Sequence, residues 1–103
     1  VRLAGADMRT LSFYDTESLR LAHPIADYLM RRGIRIRRVG RNLACQCPLH
    51  FERRGRAFII DPQRRRWRCF GKCQMHGDII DLVMRLEGCD FHEACRRLGG
   101  VQG

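Results

Sequence analysis

The sequence predicts a small α+β domain in which helices bracket a short antiparallel sheet. Three observations carry that prediction. Apolar residues recur at helical spacing toward both ends of the chain, and alternation with a period of two occupies the middle. Turn signals rich in Gly, Pro and Asn separate the alternating runs closely enough for antiparallel neighbours.

Residues 1–16 show little periodicity and read as a loosely tethered arm, which leaves 17–103 as the folded domain. Residues 16–32 read as a helix in two pieces. Leu19 and Ala22 belong to the first; Ile25, Ala26, Leu29 and Met30 belong to the second, with Pro24 in its opening turn and Gly33 as its stop. From Ile34 the period falls to two, as Ile34 and Ile36 alternate with Arg35 and Arg37, so a half-buried strand is expected there. Gly40-Arg41-Asn42 marks a turn, and strands are expected at 43–47, 57–60 and 66–70, the last two joined through Asp61-Pro62-Gln63. Ile79, Ile80, Leu82, Val83 and Leu86 then form a helical stripe introduced by Gly77-Asp78 and ended by Gly88. Asp90 and Glu93 have capping-box spacing, opening a last helix with Phe91, Ala94, Cys95 and Leu98 as its inner face and Gly99-Gly100 as its stop. No internal repeat interrupts this order.

Composition narrows the function. A chain of 103 residues buries roughly 60–70% of its unfolded surface, so a fold of this size is marginal without further support. With 45% hydrophobic but 8% aromatic residues, a modest core is expected and a large ligand cavity is not. Twenty Lys+Arg against eleven Asp+Glu give a net charge of +9, and every base except Lys72 is Arg. That excess points to a polyanion, nucleic acid first. No apolar run is long enough to span a bilayer, and the N-terminal residues lack a basic-then-apolar export pattern. A first residue other than Met predicts a cut end. A cytoplasmic setting is expected, in which the six cysteines stay reduced and metal binding is favoured over disulfides.

The cysteines supply the sharpest chemical signal. Cys47-Pro48-Leu49-His50 and Cys69-Phe70-Gly71-Lys72-Cys73 are two short segments that each offer two ligands across a turn. Zinc takes four such soft or borderline donors in a tetrahedron, so Cys47, His50, Cys69 and Cys73 predict one Cys₃His site. Three thiolates and the ion sum to −1, and Arg68 stands beside Cys69 to offset that charge. Cys45 and His76 are the alternatives that could replace one of these four ligands. Cys89 and Cys95 lie among apolar neighbours and read as small buried hydrophobes; His23 and His92 read as ordinary surface histidines. Four protein ligands leave no open position for water, so the zinc is expected to be structural. Its folding contribution, on the order of 10–16 kcal/mol, would answer the size problem.

Taken together, these segments resemble the N-terminal CHC-type zinc-binding domain of bacterial DnaG-type primases, which is also found in phage and mobile-element primases. The resemblance rests on Gly40-Arg41-Asn42, Cys47 with His50, Glu52-Arg53, Phe58, Trp67, Cys69-Phe70-Gly71, Gly77-Asp78 and the closing Phe91-His92-Glu93-Ala94 with Leu98; it covers about residues 25–100. Two local departures stand out. The second cysteine pair has three intervening residues where the family usually has two, and residues 51–57 are one longer, with Gly55-Arg56-Ala57 where the family shows Thr-Pro-Ser. The resemblance implies a zinc-ribbon fold and engagement of single-stranded template DNA for RNA primer synthesis in replication. The family's catalytic centre lies in a separate polymerising domain not contained in these residues. The implied role is therefore a non-catalytic module of a primase, or a partner to one, working with a primase catalytic domain, a polymerase or a helicase.

The basic residues supply their own argument for nucleic acid. Arg41 precedes the first knuckle, Arg53, Arg54 and Arg56 follow it, and Arg66 and Arg68 flank Trp67. Alternation puts Arg66 and Arg68 on one face of their strand and Trp67 on the other. Single-strand binders join a cationic surface to aromatic platforms, so Phe58 and Trp67 are candidates for base stacking; a small sheet equally needs such rings as core anchors. Two other function classes compete with this binding module. A catalytic fragment would need clustered carboxylates for Mg²⁺, yet Asp78, Asp81, Glu87, Asp90 and Glu93 are accounted for as helix-start and surface residues, and no Walker-type phosphate loop is present. An interaction ribbon would dock on a polymerase or helicase through its apolar helices.

Overall fold

The computed structural model describes residues 15–49, 57–71 and 73–99. Helices α1 (Thr16–Ala22) and α2 (Ile25–Arg31) lead into β1 (Arg37–Val39), β2 (Asn42–Cys45), β3 (Phe58–Asp61), β4 (Arg66–Cys69) and β5 (His76–Gly77). Helices α3 (Ile79–Glu87) and α4 (Phe91–Arg97) close the chain. The strands pair antiparallel in sequence order, β1-β2-β3-β4-β5, so the α+β architecture is as expected. The expected arm falls almost wholly outside the described residues.

Local chemistry sets the helix ends. The Asp15 carboxylate accepts from the Ser18 amide at 3.2 Å and caps α1. Pro24, at φ −58°, is the cap of α2, and Gly33 at φ +84° turns the chain away from it, a conformation an L side chain resists. The reciprocal capping box stands at α3 rather than α4. Asp78 accepts from the Asp81 amide at 3.0 Å while the Asp81 carboxylate accepts from the Asp78 amide at 3.0 Å. At α4 the Asp90 carboxylate does accept from the Glu93 amide at 2.8 Å, but the Glu93 side chain is taken by Arg96 and Arg97.

Three further differences from the expected pattern have physical causes. Ile34 and Ile36 pack against the core from an irregular segment, and the strand begins only at Arg37; β1 is an edge strand whose three residues are all exposed. Strand β5 spans two residues, too few for any periodicity to reveal, and is held by the pairs Trp67↔Gly77 and Arg68↔His76. Phe91, expected inside, is 47% exposed in the first turn of α4, whose inner face is Ala94, Cys95 and Leu98.

The core lies between the inner face of the sheet and the helices. Leu29, Phe58, Ile60, Trp67, Ile79, Leu82, Val83, Ala94 and Cys95 are at most 1% exposed. Tyr28 donates its hydroxyl to Glu87 at 2.7 Å, and Arg97 reaches the same carboxylate at 2.8 Å, tying α2, α3 and α4 together. Gly77 has a steric reason to be glycine. A Cβ there would lie 2.6 Å from the Asp81 Cβ, inside the capping box. Gly77→Ala should therefore lower the thermal midpoint of the zinc-loaded protein, with a loss of about 1–3 kcal/mol from the displaced cap and overpacking. An unshifted midpoint would show that the box has room to move.

Candidate metal centre and basic face

Antiparallel order places the β2–β3 and β4–β5 connections at one end of the sheet and the β1–β2 and β3–β4 turns at the other. The first end carries the cysteines. Cys47 lies just beyond β2, Cys69 ends β4, and Cys73 follows in the connection to β5. Their three sulfurs lie within 4.8 Å of one another, and Cys47 Sγ is 3.7 Å from Cys73 Sγ. A disulfide would require about 2.0 Å. Tetrahedral zinc with Zn–S bonds of about 2.3 Å separates two ligand sulfurs by about 3.8 Å, close to the spacing of Cys47 and Cys73.

Hydrogen bonds shape the knuckle around Cys69. The Gly71 amide donates to Cys69 Sγ at 3.3 Å. Gln74 adopts φ +54°, rare for a residue with a side chain, and its amide nitrogen donates to the carbonyls of Phe70 and Gly71 at 3.3 and 2.7 Å. This closure accommodates the three-residue spacing between Cys69 and Cys73. The thiols respond to their crowding. Burial, followed by the neighbouring Cys69 and Cys73 sulfurs, pushes Cys47 up to about 12. Burial also opposes ionisation of Cys69, but hydrogen bonds from Cys73 and the Gly71 amide outweigh it and hold that thiol below its ordinary value. Three converging thiols, two of them buried and one partly so, form the donor set that zinc satisfies.

His50 lies outside the described residues, as do Arg53, Arg54 and Arg56. The two alternatives for a ligand stand elsewhere. Cys45 is buried in the core, its thiol pushed up to about 11 by desolvation, and is not a member of the sulfur cluster. His76 is exposed and paired with Arg68 across the sheet, in a row with Arg37, Ala44 and Ile59 on the outer face. Cys95 is fully buried and Cys89 partly so, as small hydrophobes.

The outer face is basic. Strand β4 alternates as expected, with Arg66 and Arg68 exposed and Trp67 and Cys69 buried. Arg41, at the β1–β2 turn, is exposed as well. The candidate stacking rings, however, are on the other side. Phe58 is 0% and Trp67 1% exposed; their rings stack at 5.1 Å with 15° between planes, and the indole N–H donates to the Asp78 carbonyl at 2.7 Å. Both are core anchors, because the face that alternation gives them is the face the helices cover. Phe70 is the aromatic residue that sequence reasoning passed over. It is 58% exposed, and the Arg68 guanidinium lies 5.0 Å from its ring centroid. Its parity with Arg66 and Arg68 was the available signal.

Charge is sorted between the two sides. Of the described acids, only Asp61 is on the sheet; the others lie in helices or at their caps. Arg20, Arg32, Arg96 and Arg97 form ion pairs there while Arg31 and Arg85 pair with no described acid, and Arg64 pairs with Asp61. Arg35, Arg37, Arg38, Arg41, Arg65, Arg66 and Arg68 form no ion pair with a described acid. No described helix is long and apolar enough to cross a membrane.

Comparison with known proteins agrees with this geometry. A family model described as CHC2 zinc finger matches residues 12–102. The DNA primase of Streptomyces coelicolor is 37% identical over 90 residues, covering 86% of this chain and 14% of that protein. The DNA primase of Geobacillus stearothermophilus is 32% identical over 87 residues, covering 84% of this chain and 14% of that protein. The chain thus spans about one-seventh of the length of these curated relatives. A crystal structure of the Aquifex aeolicus primase, comprising zinc-binding and RNA polymerase domains, superposes with a TM-score of 0.69 at 29% identity, covering 84% of this chain and 21% of that one.

Proposed function

The chain belongs to the CHC2 zinc-finger family of DnaG-type primases, and we propose that it engages single-stranded template DNA for RNA primer synthesis without itself being the catalyst. The observation that carries this reading is the sorting of charge. Four of the six described arginines on the helical side, Arg20, Arg32, Arg96 and Arg97, pair with neighbouring acids, whereas of the eight on and around the sheet only Arg64 pairs with a described acid, which leaves a surplus of positive charge there for a polyanion. Arginine's planar fork suits phosphate, and a cationic surface tracking a backbone is how single strands are held.

In this reading one structural zinc is held by Cys47, Cys69 and Cys73 with His50 as fourth ligand. Zinc, when bound, cross-links the two knuckles and balances their thiolate charge. The protein residues do the rest: Arg41, Arg66 and Arg68 offer donors to phosphates, and Arg53, Arg54 and Arg56 extend that set beyond the first knuckle. A non-catalytic role is supported by the occupation of the acids. Asp78 and Asp81 cap α3, Asp90 caps α4, and Glu87 and Glu93 are held by Tyr28, Arg96 and Arg97. The module would comprise residues 17–103, preceded by an arm, and work in the cytoplasm with a primase catalytic domain, a polymerase or a helicase.

Affinity for an oligonucleotide should be weak, on the order of 10⁻⁴–10⁻⁶ M at physiological salt, because phosphate contacts dominate. Replacing Arg66 and Arg68 together by Ala should make the log–log salt slope shallower by about 1.4, or about 0.7 for each phosphate released, with zinc content unchanged. Titration by fluorescence anisotropy at several salt concentrations measures it. If the parent chain binds no oligonucleotide even in low salt, the basic face serves a protein partner and the interaction-ribbon reading replaces this one.

A further inference from the structure

We propose that Phe70 is the base-stacking residue of this face and that Arg68 positions its ring, so that one unpaired base is held beside the second knuckle. This inference rests on the nucleic-acid reading above and adds to it the group that would contact a base. The two rings otherwise available on the sheet, Phe58 and Trp67, are closed to solvent and packed against each other. Phe70 is on the other side, 58% exposed, immediately beyond β4.

Its exposure is built in. The Phe70 amide donates to the Ala57 carbonyl at 2.7 Å, continuing the β3–β4 pairing one step past the strand. Its carbonyl accepts from the Gln74 side chain at 3.3 Å, and Gln74 adopts a left-handed backbone to make that closure. Rotating the ring inward would require breaking both anchors and the Cys69 knuckle next to them. The Arg68 guanidinium lies 5.0 Å from the ring centroid, a cation–π contact that occupies one face of the ring. A base can take the opposite face.

Position supports the same assignment. Arg66, Arg68 and Phe70 are successive outward residues along one extended segment, roughly 7 Å apart at each step. A single strand lying along β4 would meet two guanidiniums through its phosphates and then a ring through a base. Stacking tolerates any base and grows with its π surface, so the contact predicts a preference for purine over pyrimidine at one nucleotide rather than a hydrogen-bonded sequence code.

The test uses the zinc-loaded chain and short oligonucleotides, with and without a single abasic position. Phe70→Leu should weaken binding of the intact oligonucleotide roughly 5- to 100-fold while leaving the salt slope unchanged. For the oligonucleotide made abasic at the contacted position, parent and variant should bind alike. Phe70→Trp supplies an independent readout. Buried Trp67 should keep its emission when DNA is added to the parent, whereas the new indole should be quenched. Should Phe70→Leu lose zinc, the Phe70→Trp quench alone decides. A parent that binds with the expected salt slope, together with a Phe70→Trp variant that DNA does not quench, would overturn the stacking assignment and leave the nucleic-acid reading intact. A parent that binds no DNA at low salt would overturn both.

Discussion

Changing Cys69 to serine is expected to release the zinc and unfold the domain in one step. Cys69 is 0% exposed, ends β4, and is within 4.8 Å of both other sulfurs of the cluster. A serine hydroxyl is a hard, weakly acidic donor that does not replace a thiolate on zinc. Structural zinc contributes on the order of 10–16 kcal/mol in small domains, against a total stability of about 5–15 kcal/mol for an ordinary fold. Losing even half of that contribution therefore leaves nothing to hold the two knuckles together. The sheet should fail with them, since Cys47 and Cys69 are part of the same core as Phe58 and Trp67. Metal analysis after dialysis, with far-UV circular dichroism on the same sample, checks both halves of the expectation. Cys89→Ser is the matched control: that thiol is outside the cluster, and the variant should keep one zinc per chain. A folded, metal-free parent would sink the zinc assignment. Zinc retained by Cys73→Ser would send the search for ligands back to other residues.

What the sequence made legible follows from how local each signal is. The clustered cysteines could be read because ligands a turn apart are a property of a few residues, and Cys47, Cys69 and Cys73 do come together. The same holds for the Pro24 start, the Gly33 and Gly88 stops and the turn at Gly40, where a backbone preference acts at one position. Less local features were misread. Asp90 and Glu93 have the spacing of a capping box, but whether Glu93 turns back to the cap or forward to Arg96 and Arg97 depends on competition between partners that spacing does not rank. Strand β5 exists only because Trp67 and Arg68 offer it a neighbour. The rings of the sheet illustrate the same limit. Parity along β4 separates Trp67 from Arg66 and Arg68, but does not say which side the helices cover. Once the core is known to include Trp67, the same parity puts Phe70 with the arginines.

Trp67→Ala should cost about 3–5 kcal/mol, the largest loss expected from any residue outside the metal site. The indole is the largest fully buried side chain in the described core, stacked on Phe58 across the β3–β4 pair. Truncation removes that ring contact, opens a cavity between the sheet and α3, and takes from the Asp78 carbonyl one of its two donors, the indole N–H at 2.7 Å, leaving it the Leu82 amide at 3.1 Å. The cavity and the lost ring contact are the main cost, since the carbonyl remains hydrogen-bonded. Asp78 also accepts from the Asp81 amide and from Arg20 at 3.3 Å, so the damage should spread into the start of α3 and its link to α1. Trp67→Phe keeps most of the apolar volume and loses the donor, so it should cost roughly half as much. Urea titrations of the zinc-loaded proteins measure the difference. In low denaturant, where Trp67→Phe remains folded, its affinity for single-stranded oligonucleotides should match that of the parent, because the ring it alters never meets solvent. A Trp67→Phe protein as stable as the parent but binding DNA tenfold more weakly would reverse this assignment, and would mean that the indole leaves the core to stack on a base.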